Sequence, residues 1–534
     1  MGQEDQNICT RFGYRLNTPG DSVTRLIYQP PTSSSSAVVS TDGVHAFGKL
    51  KVVTTTDEDD NVREVFSDMD DKVILERRKD EGQNNDTYYV YDIRDSLVCV
   101  IQPMGAQSLP ASFSFDSQFA QNWCFTYIYD AVGNLIEKHV PGAGTTFSAY
   151  DLRGRVVLTA DQIMKQSDIY RYFIYDSLDR IEEQGYVKNT TPIASLRSAL
   201  ASGENAVSVI GTARIPQRVC TYYDTATLPA GFVSEQGVVD NEDVMNVRCL
   251  TMLKTEKVYE DIGHNSTTSA AALCWRERTF FYDSKGRTVQ VKETGSDGWT
   301  SRYSSSYDFT GNLTSYVERH FYGSHEDCVK YVYQYDLRGR KTLARRWLNG
   351  REFTPVHYVY DDLGRKALID CEGKVTELYS YNLQGWPQTQ DVLLYGQPEA
   401  FQMSLRHYDP DDPQAEPVFG GFVSEAVSKH MGQDERTVIY RYDDLGRVID
   451  ATEVGGSTEA MEYDANGNIL AASRRNGGSS ATRTYFTHSG NCLQKVTENN
   501  RPWSFTYWPN GNLKTDAKEN LSFRTHLCRA YKKR

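Results

Sequence analysis

The stretch 360–386, YDDLGRKALIDCEGKVTELYSYNLQGW, contains one short frame twice. It opens as Tyr-Asp-x-x-Gly-Arg and returns 21 residues later as Tyr-Asn-x-x-Gly-Trp. An Asp that opens a type I turn accepts hydrogen bonds from the backbone that follows it, and a Gly three residues later supplies the positive φ that closes a short hairpin loop. The frame therefore predicts a hairpin turn, and its tyrosine is expected to end the incoming strand.

The frame recurs along most of the chain. Degenerate copies begin at Tyr91, Tyr175, Tyr381, Phe486 and Tyr507, and neighbouring copies start 21 to 28 residues apart. The eight complete copies place the turn frame at Tyr129, Asp130, Gly133; Tyr150, Asp151, Gly154; Tyr282, Asp283, Gly286; Tyr307, Asp308, Gly311; Tyr335, Asp336, Gly339; Tyr360, Asp361, Gly364; Tyr442, Asp443, Gly446; and Tyr463, Asp464, Gly467.

Each repeat also contains a second turn. Glu372-Gly373-Lys374 and Gly455-Gly456-Ser457 are examples. Two strands of about seven residues and two short turns fill a period of roughly 21 residues. A lone hairpin cannot bury its own face, so successive hairpins are expected to pair edge to edge in one antiparallel sheet. The sequence predicts an all-β fold of tandem β-hairpins.

Composition agrees with β structure and restricts the partners. With 35 Tyr and 21 Phe the aromatic share is 12%, which favours pleated surface over helix bundles. A formal net charge of -13 repels nucleic acid and anionic bilayers, so we expect no nucleic-acid partner. No run approaches the roughly 20 apolar residues of a membrane helix, so no membrane insertion is expected. The ten cysteines form no C-x-x-C pair and are interpreted mainly as small buried hydrophobes.

Changes in repeat regularity divide the chain into seven predicted segments. Within the third of them, residues 190–207 are compatible with a short helix or with a long loop. The segments are a loop-rich N-terminal segment with a Pro/Ser-rich stretch (1–50), a first repeat block (51–187), an irregular insertion with degenerate repeats (188–275), a second repeat block (276–392), a Pro- and Gly-rich insertion (393–437), a third repeat block (438–515) and a basic tail (516–534).

Metal sites are a weaker interpretation of the same residues. The Asp residues of the frame and the acidic run 57–60 suggest calcium, but the spacing matches no calcium loop, so turns are favoured. His320, His325 and Cys328 offer three zinc ligands in one stretch, but at a spacing typical of no standard site. We therefore expect no metal and no cofactor.

The sequence contains no recognisable motif for catalysis and no dedicated motif for ligand binding. Nucleophile-elbow and phosphate-loop motifs are absent from the sequence, so the prediction is a non-enzymatic protein. Exposed aromatics could form a glycan-binding surface, but cross-strand packing is the simpler explanation and is favoured. The residues in question are Trp347, Trp386, Trp503 and Trp508.

The repeated frame resembles the YD-repeat, or Rhs, family over roughly residues 45–515. Phrases such as YDAVGNLIEKHVPG (129–142) and GGFVSEAVSK (420–429) are similar to large bacterial surface and secreted members. The resemblance implies a long antiparallel sheet that spirals into a partial hollow shell, as in bacterial Rhs toxins, the cocoon of Tc toxins and animal teneurins. It also implies a secreted or cell-surface location, although MGQEDQNICTRFGY has no signal-peptide pattern.

In toxin members of the family the shell encloses a C-terminal effector, and a conserved core segment follows the repeats. That core segment is not found here, since YWPNGNLKTDAKENLSF is followed by RTHLCRAYKKR. The chain is therefore expected to be an interior piece of a longer product, with unpaired strand edges that favour self-association.

The sequence leads to one main functional hypothesis and two alternatives. The main hypothesis is a structural shell segment whose full-length form encapsulates or presents a C-terminal toxin or effector module. The first alternative is a cell-surface adhesin that binds glycans, and the second is a hydrolase domain within 188–275 or 393–437, where the repeat is interrupted.

Overall fold

Antiparallel hairpins make up most of the chain. The structure is a computed structural model that describes residues 9–32, 35–223, 232–238, 253–260, 274–397, 399–523 and 530–532. Much of the predicted insertion 188–275 and part of the basic tail lie outside these ranges. Within them the predicted all-β fold of tandem hairpins is confirmed.

The strands are short and follow one another closely. They are β1 (Arg11–Leu16), β2 (Thr24–Gln29), β3 (Val38–Val44), β4 (Lys51–Thr56), β5 (Val62–Ser67), β6 (Val73–Asp80), β7 (Gln83–Tyr91), β8 (Leu97–Ile101), β9 (Ser112–Ser114), β10 (Cys124–Tyr129), β11 (Leu135–Val140), β12 (Gly144–Tyr150), β13 (Val156–Ala160), β14 (Ile169–Tyr175), β15 (Ile181–Lys188), β16 (Arg214–Tyr223), β17 (Leu253–Glu260), β18 (Cys274–Tyr282), β19 (Thr288–Gly295), β20 (Thr300–Tyr307), β21 (Leu313–Tyr322), β22 (His325–Tyr335), β23 (Lys341–Leu348), β24 (Arg351–Glu352), β25 (Val356–Tyr360), β26 (Lys366–Asp370), β27 (Val375–Tyr381), β28 (Pro387–Leu394), β29 (Glu399–Arg406), β30 (Glu425–His430), β31 (Arg436–Tyr442), β32 (Val448–Glu453), β33 (Thr458–Tyr463), β34 (Ile469–Arg475), β35 (Thr482–Ser489), β36 (Cys492–Glu498), β37 (Arg501–Tyr507), β38 (Leu513–Asp516), β39 (Leu521–Phe523) and β40 (Ala530–Lys532).

Helices are few and short. They are α1 (Pro103–Gln107), α2 (Gln118–Trp123), α3 (Gln162–Gln166), α4 (Ile193–Ala201), α5 (Ala206–Ile210) and a 3-10 turn at Pro19–Asp21. Of the two alternatives for residues 190–207, the structure contains helix, because Ile193, Leu196 and Leu200 recur on one buried face of α4. In the described part of the chain no helix is long and apolar enough to cross a membrane.

The chain forms two compact units. Unit 1 comprises residues 1–148, 161–165 and 403–534, and unit 2 comprises residues 149–160 and 166–402. In unit 1 the N-terminal strands pair in the order β1-β4-β5-β6-β7-β8-β10-β11, and the C-terminal strands pair in sequence from β30 to β40. In unit 2 each strand from β13 to β23 pairs with the next, and the ladder continues from β25 to β28.

The main core of unit 1 lies under a small second sheet. Strands β2, β3 and β9 pair with one another, although composition described residues 1–50 as loop-rich. The Pro/Ser-rich stretch lies only between β2 and β3, so it interrupts the hairpin without preventing it. Buried Val39 and Phe113 of this sheet pack with Val52, Phe66 and Ile101 of the large sheet. The alternating burial along β5 places Val65 and Phe66 on opposite faces, as the period of a strand requires.

Candidate functional site

The repeated frame forms a closed hairpin turn at every complete copy. At Asp361 the backbone N–H donates to the Arg365 carbonyl at 2.8 Å, and Gly364 N–H donates to the Asp361 carbonyl at 2.9 Å. Gly364 has a φ of +89°, a value that only glycine adopts without strain. The same pair of backbone bonds closes the turns at Asp130, Asp151, Asp283, Asp308, Asp336, Asp443 and Asp464.

The frame aspartate acts as a turn acceptor. One carboxylate oxygen of Asp361 accepts the Arg365 backbone N–H at 2.8 Å, and the other accepts Arg365 Nε at 2.7 Å. Desolvation raises the pKa of Asp361, but the hydrogen bonds from Arg365 outweigh it, so the pKa lies below the ordinary value. The carboxylate is therefore ionised and engaged, which is unlike a general acid that must hold a proton near neutral pH.

The frame tyrosine links each hairpin to the one before it. Tyr360 Oη donates to the carbonyl of Lys341, which begins the strand after the preceding turn, at 2.8 Å. The sequence predicted a packing role for this residue, and the structure adds a specific hydrogen bond. The same bond is made by Tyr129, Tyr307, Tyr335 and Tyr463, whereas Tyr442 donates to the carbonyl of Val423, which lies in the insertion before β30.

We expect Tyr360→Phe to loosen the contact between two repeats while leaving each hairpin intact. The loss of one neutral hydrogen bond corresponds to about 1 kcal/mol, or roughly fivefold faster hydrogen exchange in β23 and β25. Tyr358→Phe is the matched control, because Tyr358 lies on the same strand and its ring contacts Lys366. Equal exchange rates in the two variants would contradict the assignment.

The arginine that follows the frame glycine connects consecutive turns. Beyond its bonds to Asp361, Arg365 lies 4.7 Å from the ring centre of Tyr381 and donates Nη1 to the Asn382 carbonyl at 3.1 Å. Arg287 and Arg447 make the same three contacts with their own aspartates and with the next turn. The turn edge is thus an interlocked row, which sequence reasoning did not anticipate for the arginines.

Three turns near the start of the first repeat block have aspartate where the complete frame has glycine. Asp60, Asp71 and Asp95 have φ values of 63°, 64° and 65°, and each closes a turn opened by an aspartate three residues earlier. Asp tolerates this left-handed conformation better than most residues. In the acidic run 57–60, Asp57 accepts the backbone N–H groups of residues 59 and 61, as a turn former does.

The three candidate zinc ligands do not converge. His320 pairs with Asp327 across β21 and β22, whereas Cys328 pairs with Arg319 and therefore points to the opposite face. His320 Nδ1 lies 2.8 Å from Ser301 Oγ, and His325 Nε2 lies 3.2 Å from Asp327. Among the described residues, no group of three or more His, Cys, Asp or Glu side chains is placed to hold a metal ion.

The four tryptophans proposed for glycan binding are all half-buried and lie on or beside different strands. Trp347 is in β23 and Trp503 in β37, while Trp386 and Trp508 lie in turns. Lys514 Nζ lies 4.5 Å from the Trp508 ring centre, and Arg501 lies 5.5 Å from that of Trp503. Glycan binding by these residues stays a prediction.

A short sequence that the frame does not include occurs twice. Gly-Phe-Val-Ser-Glu is found at 231–235 and at 421–425, and the glutamate is buried in both copies. Glu235 binds Arg319 at 2.7 Å and Arg302 at 3.5 Å; burial raises its pKa, but the two arginines outweigh this and lower it. Glu425 accepts the backbone N–H groups of residues 411 and 412. In both copies the glutamate holds an irregular segment against a sheet. The repeated pentapeptide is the sequence feature that could have indicated this role.

In unit 1 the turns of the third block rest on loops of the first block. We call this contact the seam; it joins turns 443–447, 464–468, 487–491 and 508–512 to residues 80–81, 102–104, 122 and 142–144. Arg447 binds Asp80 at 2.7 Å, and Asn466 accepts the Met104 N–H at 3.0 Å. Asn491 donates to Gln102 at 2.9 Å. The partners are more than 360 residues apart in sequence.

The glycines of the seam allow the two backbones to meet. A Cβ on Gly511 would lie 2.6 Å from the Gly142 carbonyl oxygen, and one on Gly144 would lie 2.2 Å from the Pro509 carbonyl oxygen. Both glycines also have positive φ, of 81° and 73°. Side chains larger than hydrogen therefore do not fit at these positions without displacement of backbone.

A cleft in unit 1 lies next to the seam. It measures about 590 Å³, and its lining includes His139, Gln121, Gln162 and Pro509. His139 is buried between Thr145 Oγ1 at 3.2 Å and the Gln121 carbonyl at 3.3 Å, and burial lowers its pKa. A neutral, enclosed imidazole of this kind is typical of a structural histidine.

A second cleft of about 390 Å³ shares part of that lining and adds Cys492 and Trp508. Burial raises the pKa of the Cys492 thiol, whose sulfur lies 3.6 Å from the Gly142 carbonyl. Reactive cysteines have a lowered pKa, so this environment does not activate a nucleophile.

Comparisons with known proteins give only distant structural likeness. Neither a family model nor a curated protein matches the chain. The chain is similar to a chain of the Photorhabdus luminescens Tc holotoxin pore, with 14% identity, 92% of this chain and 26% of that chain covered, and a TM-score of 0.32. It is also similar to a chain of TcdB2-TccC3 without the hypervariable C-terminal region, with 12% identity, 94% and 30% coverage, and a TM-score of 0.29.

The chain thus spans less than a third of the length of these two solved chains. TM-scores this low carry no argument for a shared activity.

Proposed function

We propose that this chain is a non-enzymatic wall segment of an Rhs-like β-repeat shell. The observation that carries the proposal is the seam in unit 1. There the turns of the third repeat block pack on loops of the first block through polar side chains and closely approaching backbones. A wall built in this way acts as a barrier, because an uninterrupted sheet separates the space on one face from the space on the other.

The interlocked turn row supports the same function. Tyrosine hydroxyls and arginine guanidiniums join each hairpin to its neighbour, so the frame residues are used for cohesion along the wall. Contacts of this kind between successive hairpins support a role as a continuous wall.

In a longer protein the wall would enclose or present a C-terminal effector module outside the producing cell. The sequence resemblance to the Rhs family suggests this finer role. Repetitive sheets provide extended surface without a dedicated reaction centre. The buried neutral His139 and protonated Cys492 agree with a scaffold role.

A protease-protection experiment tests the enclosing role. A short unfolded reporter peptide is fused to the C-terminus of the full chain, and its cleavage is timed with a broad-specificity protease. We expect slower cleavage than for the free peptide, and we expect the same peptide on the N-terminus of a matched control fusion to be cleaved rapidly. Equal cleavage of the C-terminal reporter and the free peptide would refute enclosure.

A further inference from the structure

A short segment of unit 2 lies across one face of the sheet. We call residues 232–238 the strap. The ring centre of Phe232 lies 5.4 Å from that of Phe281, in an edge-to-face arrangement. The Val233 backbone N–H donates to Gln290 Oε1 at 3.2 Å, and Gln290 Nε2 donates to the Val233 carbonyl at 2.8 Å. Gln290 is fully buried, so a side-chain amide of the sheet binds one peptide unit of the strap.

The strap also brings one carboxylate to this face. Both Glu235 oxygens accept hydrogen bonds from Arg319, at 2.7 to 3.0 Å, and the Glu235 side chain is buried. Arg302 reaches the same carboxylate only at 3.5 Å, and its Nε is buried with no hydrogen-bond partner among the described residues. A buried donor without an acceptor is costly, so the strap fills this site incompletely.

The two arginines belong to a row of three cations. Lys292 of β19, Arg302 of β20 and Arg319 of β21 lie directly opposite one another on neighbouring strands, and we call them the cationic row. Like charges in directly opposed positions destabilise a sheet, so the row requires anions on its face. In the described part of the chain, Glu235 and Glu326 are the acids that form ion pairs with the row. Three positive charges against two negative ones leave an excess of positive charge.

We propose that this face of unit 2 is a binding site for an acidic peptide, which the strap occupies within the chain. The ligand carries an aromatic side chain three residues before a glutamate, because that spacing reaches from Phe281 to Arg319 in the strap. The unmet donor of Arg302 and the excess positive charge favour a ligand more acidic than the strap, so such a peptide displaces it. Peptide binding here is independent of the wall function, which rests on the seam of unit 1.

Fluorescence anisotropy of a labelled peptide, titrated with the full chain, tests this site. The probe is GFVSEED, the repeated pentapeptide extended by two acidic residues. We expect Glu235→Ala to bind the probe about tenfold or more tightly than the unaltered chain does, because the strap no longer competes. Adding Arg319→Met to Glu235→Ala should abolish this gain, because the guanidinium that binds the carboxylate is lost. Glu425→Ala is the matched control, since it removes the glutamate of the second pentapeptide, in unit 1, and should leave the affinity for the probe unchanged.

Two further peptides separate recognition from general attraction to positive charge. GFVSQQN lacks the acidic groups, and EGDSVEF has the composition of the probe in another order. Each should bind Glu235→Ala about tenfold or more weakly than the probe does. If Glu235→Ala loses the β-sheet circular dichroism of the unaltered chain, Glu235→Gln, which preserves the shape of the side chain, takes its place.

Four results would each overturn the proposal. They are no binding of the probe by the strap variant, equal affinity of the unaltered chain and the strap variant, a gain that survives Arg319→Met, and equal affinity of the reordered peptide. The last of these would mean that the cationic row attracts any acidic peptide and recognises none.

Discussion

Gly511→Ala is expected to open the seam of unit 1. Two costs combine at this position, because the new Cβ meets the Gly142 carbonyl oxygen at 2.6 Å and the backbone has a φ of 81°. A left-handed conformation costs a non-glycine residue about 1–2 kcal/mol, and overpacking against a fixed neighbour costs about 1–3 kcal/mol. The sum of about 4 kcal/mol corresponds to roughly a thousandfold faster hydrogen exchange in β36, β37 and β38.

Gly467→Ala separates these two costs. Gly467 belongs to the same block, has a φ of 90°, and would bring its Cβ within 4 Å of no other atom among the described residues. Its substitution should therefore cost only the conformational part, about 1–2 kcal/mol. Similar exchange rates in the two variants would mean that residues 142–143 do not hold the Gly511 turn.

Most of the turn geometry follows from local sequence. The Asp-x-x-Gly spacing fixes both the hydrogen bonds and the positive φ, so hairpins such as the one at Asp361 could be predicted from six residues. Turns with aspartate at the glycine position, as at Asp60, have the same backbone conformation, but their sequence signal is weaker because aspartate is also common outside turns.

Contacts between repeats can be predicted only when the strand register is known, and the sequence does not give the register directly. The bond from Tyr360 to the Lys341 carbonyl and the stacking of Arg365 on Tyr381 depend on which residues face each other on neighbouring hairpins. Register also decides which side chains share a face of the sheet. His320 and Cys328 are close in sequence, but they lie on opposite faces.

The seam lies furthest from what sequence can predict. Its partners, such as Met104 and Asn466, are 362 residues apart, and their meeting depends on small curvatures accumulated over many strands. The local letters do not mark it, because the seam turn 442–447 and the turn 360–365, which is not part of the seam, share the hexapeptide YDDLGR.

Asp283→Ala is expected to destabilise its own turn and the next one. Asp283 is 8% exposed and accepts the backbone N–H groups of Lys285 and Arg287 at 2.9 Å, as well as Arg287 Nε at 2.7 Å. The substitution removes the carboxylate that accepts hydrogen bonds from one guanidinium and two backbone N–H groups. We expect the free energy of unfolding to fall by about 2–3 kcal/mol. Arg287 also holds the following turn through the Asp308 carbonyl, so hydrogen exchange should rise there too.

Asp283→Asn retains the acceptor oxygen and removes only the charge, as the copy at Asn382 does naturally. Its expected cost is about 1 kcal/mol at neutral pH. Burial raises the pKa of Asp283, but its hydrogen bonds outweigh burial and lower it. The charged turn is therefore fully stabilised above the unfolded pKa of about 4 and loses its advantage as the pH falls through the lower folded value.

The difference between Asp283 and Asp283→Asn should accordingly shrink below about pH 4, as measured by hydrogen exchange at each pH. Asp362→Ala is the matched control, because Asp362 lies at a variable turn position, is exposed, and contributes its backbone carbonyl to Arg338. It should change stability by less than about 0.5 kcal/mol. An Asp362→Ala effect as large as that of Asp283→Ala would mean that turn acidity in general stabilises the wall, and that the frame aspartate has no special place in it.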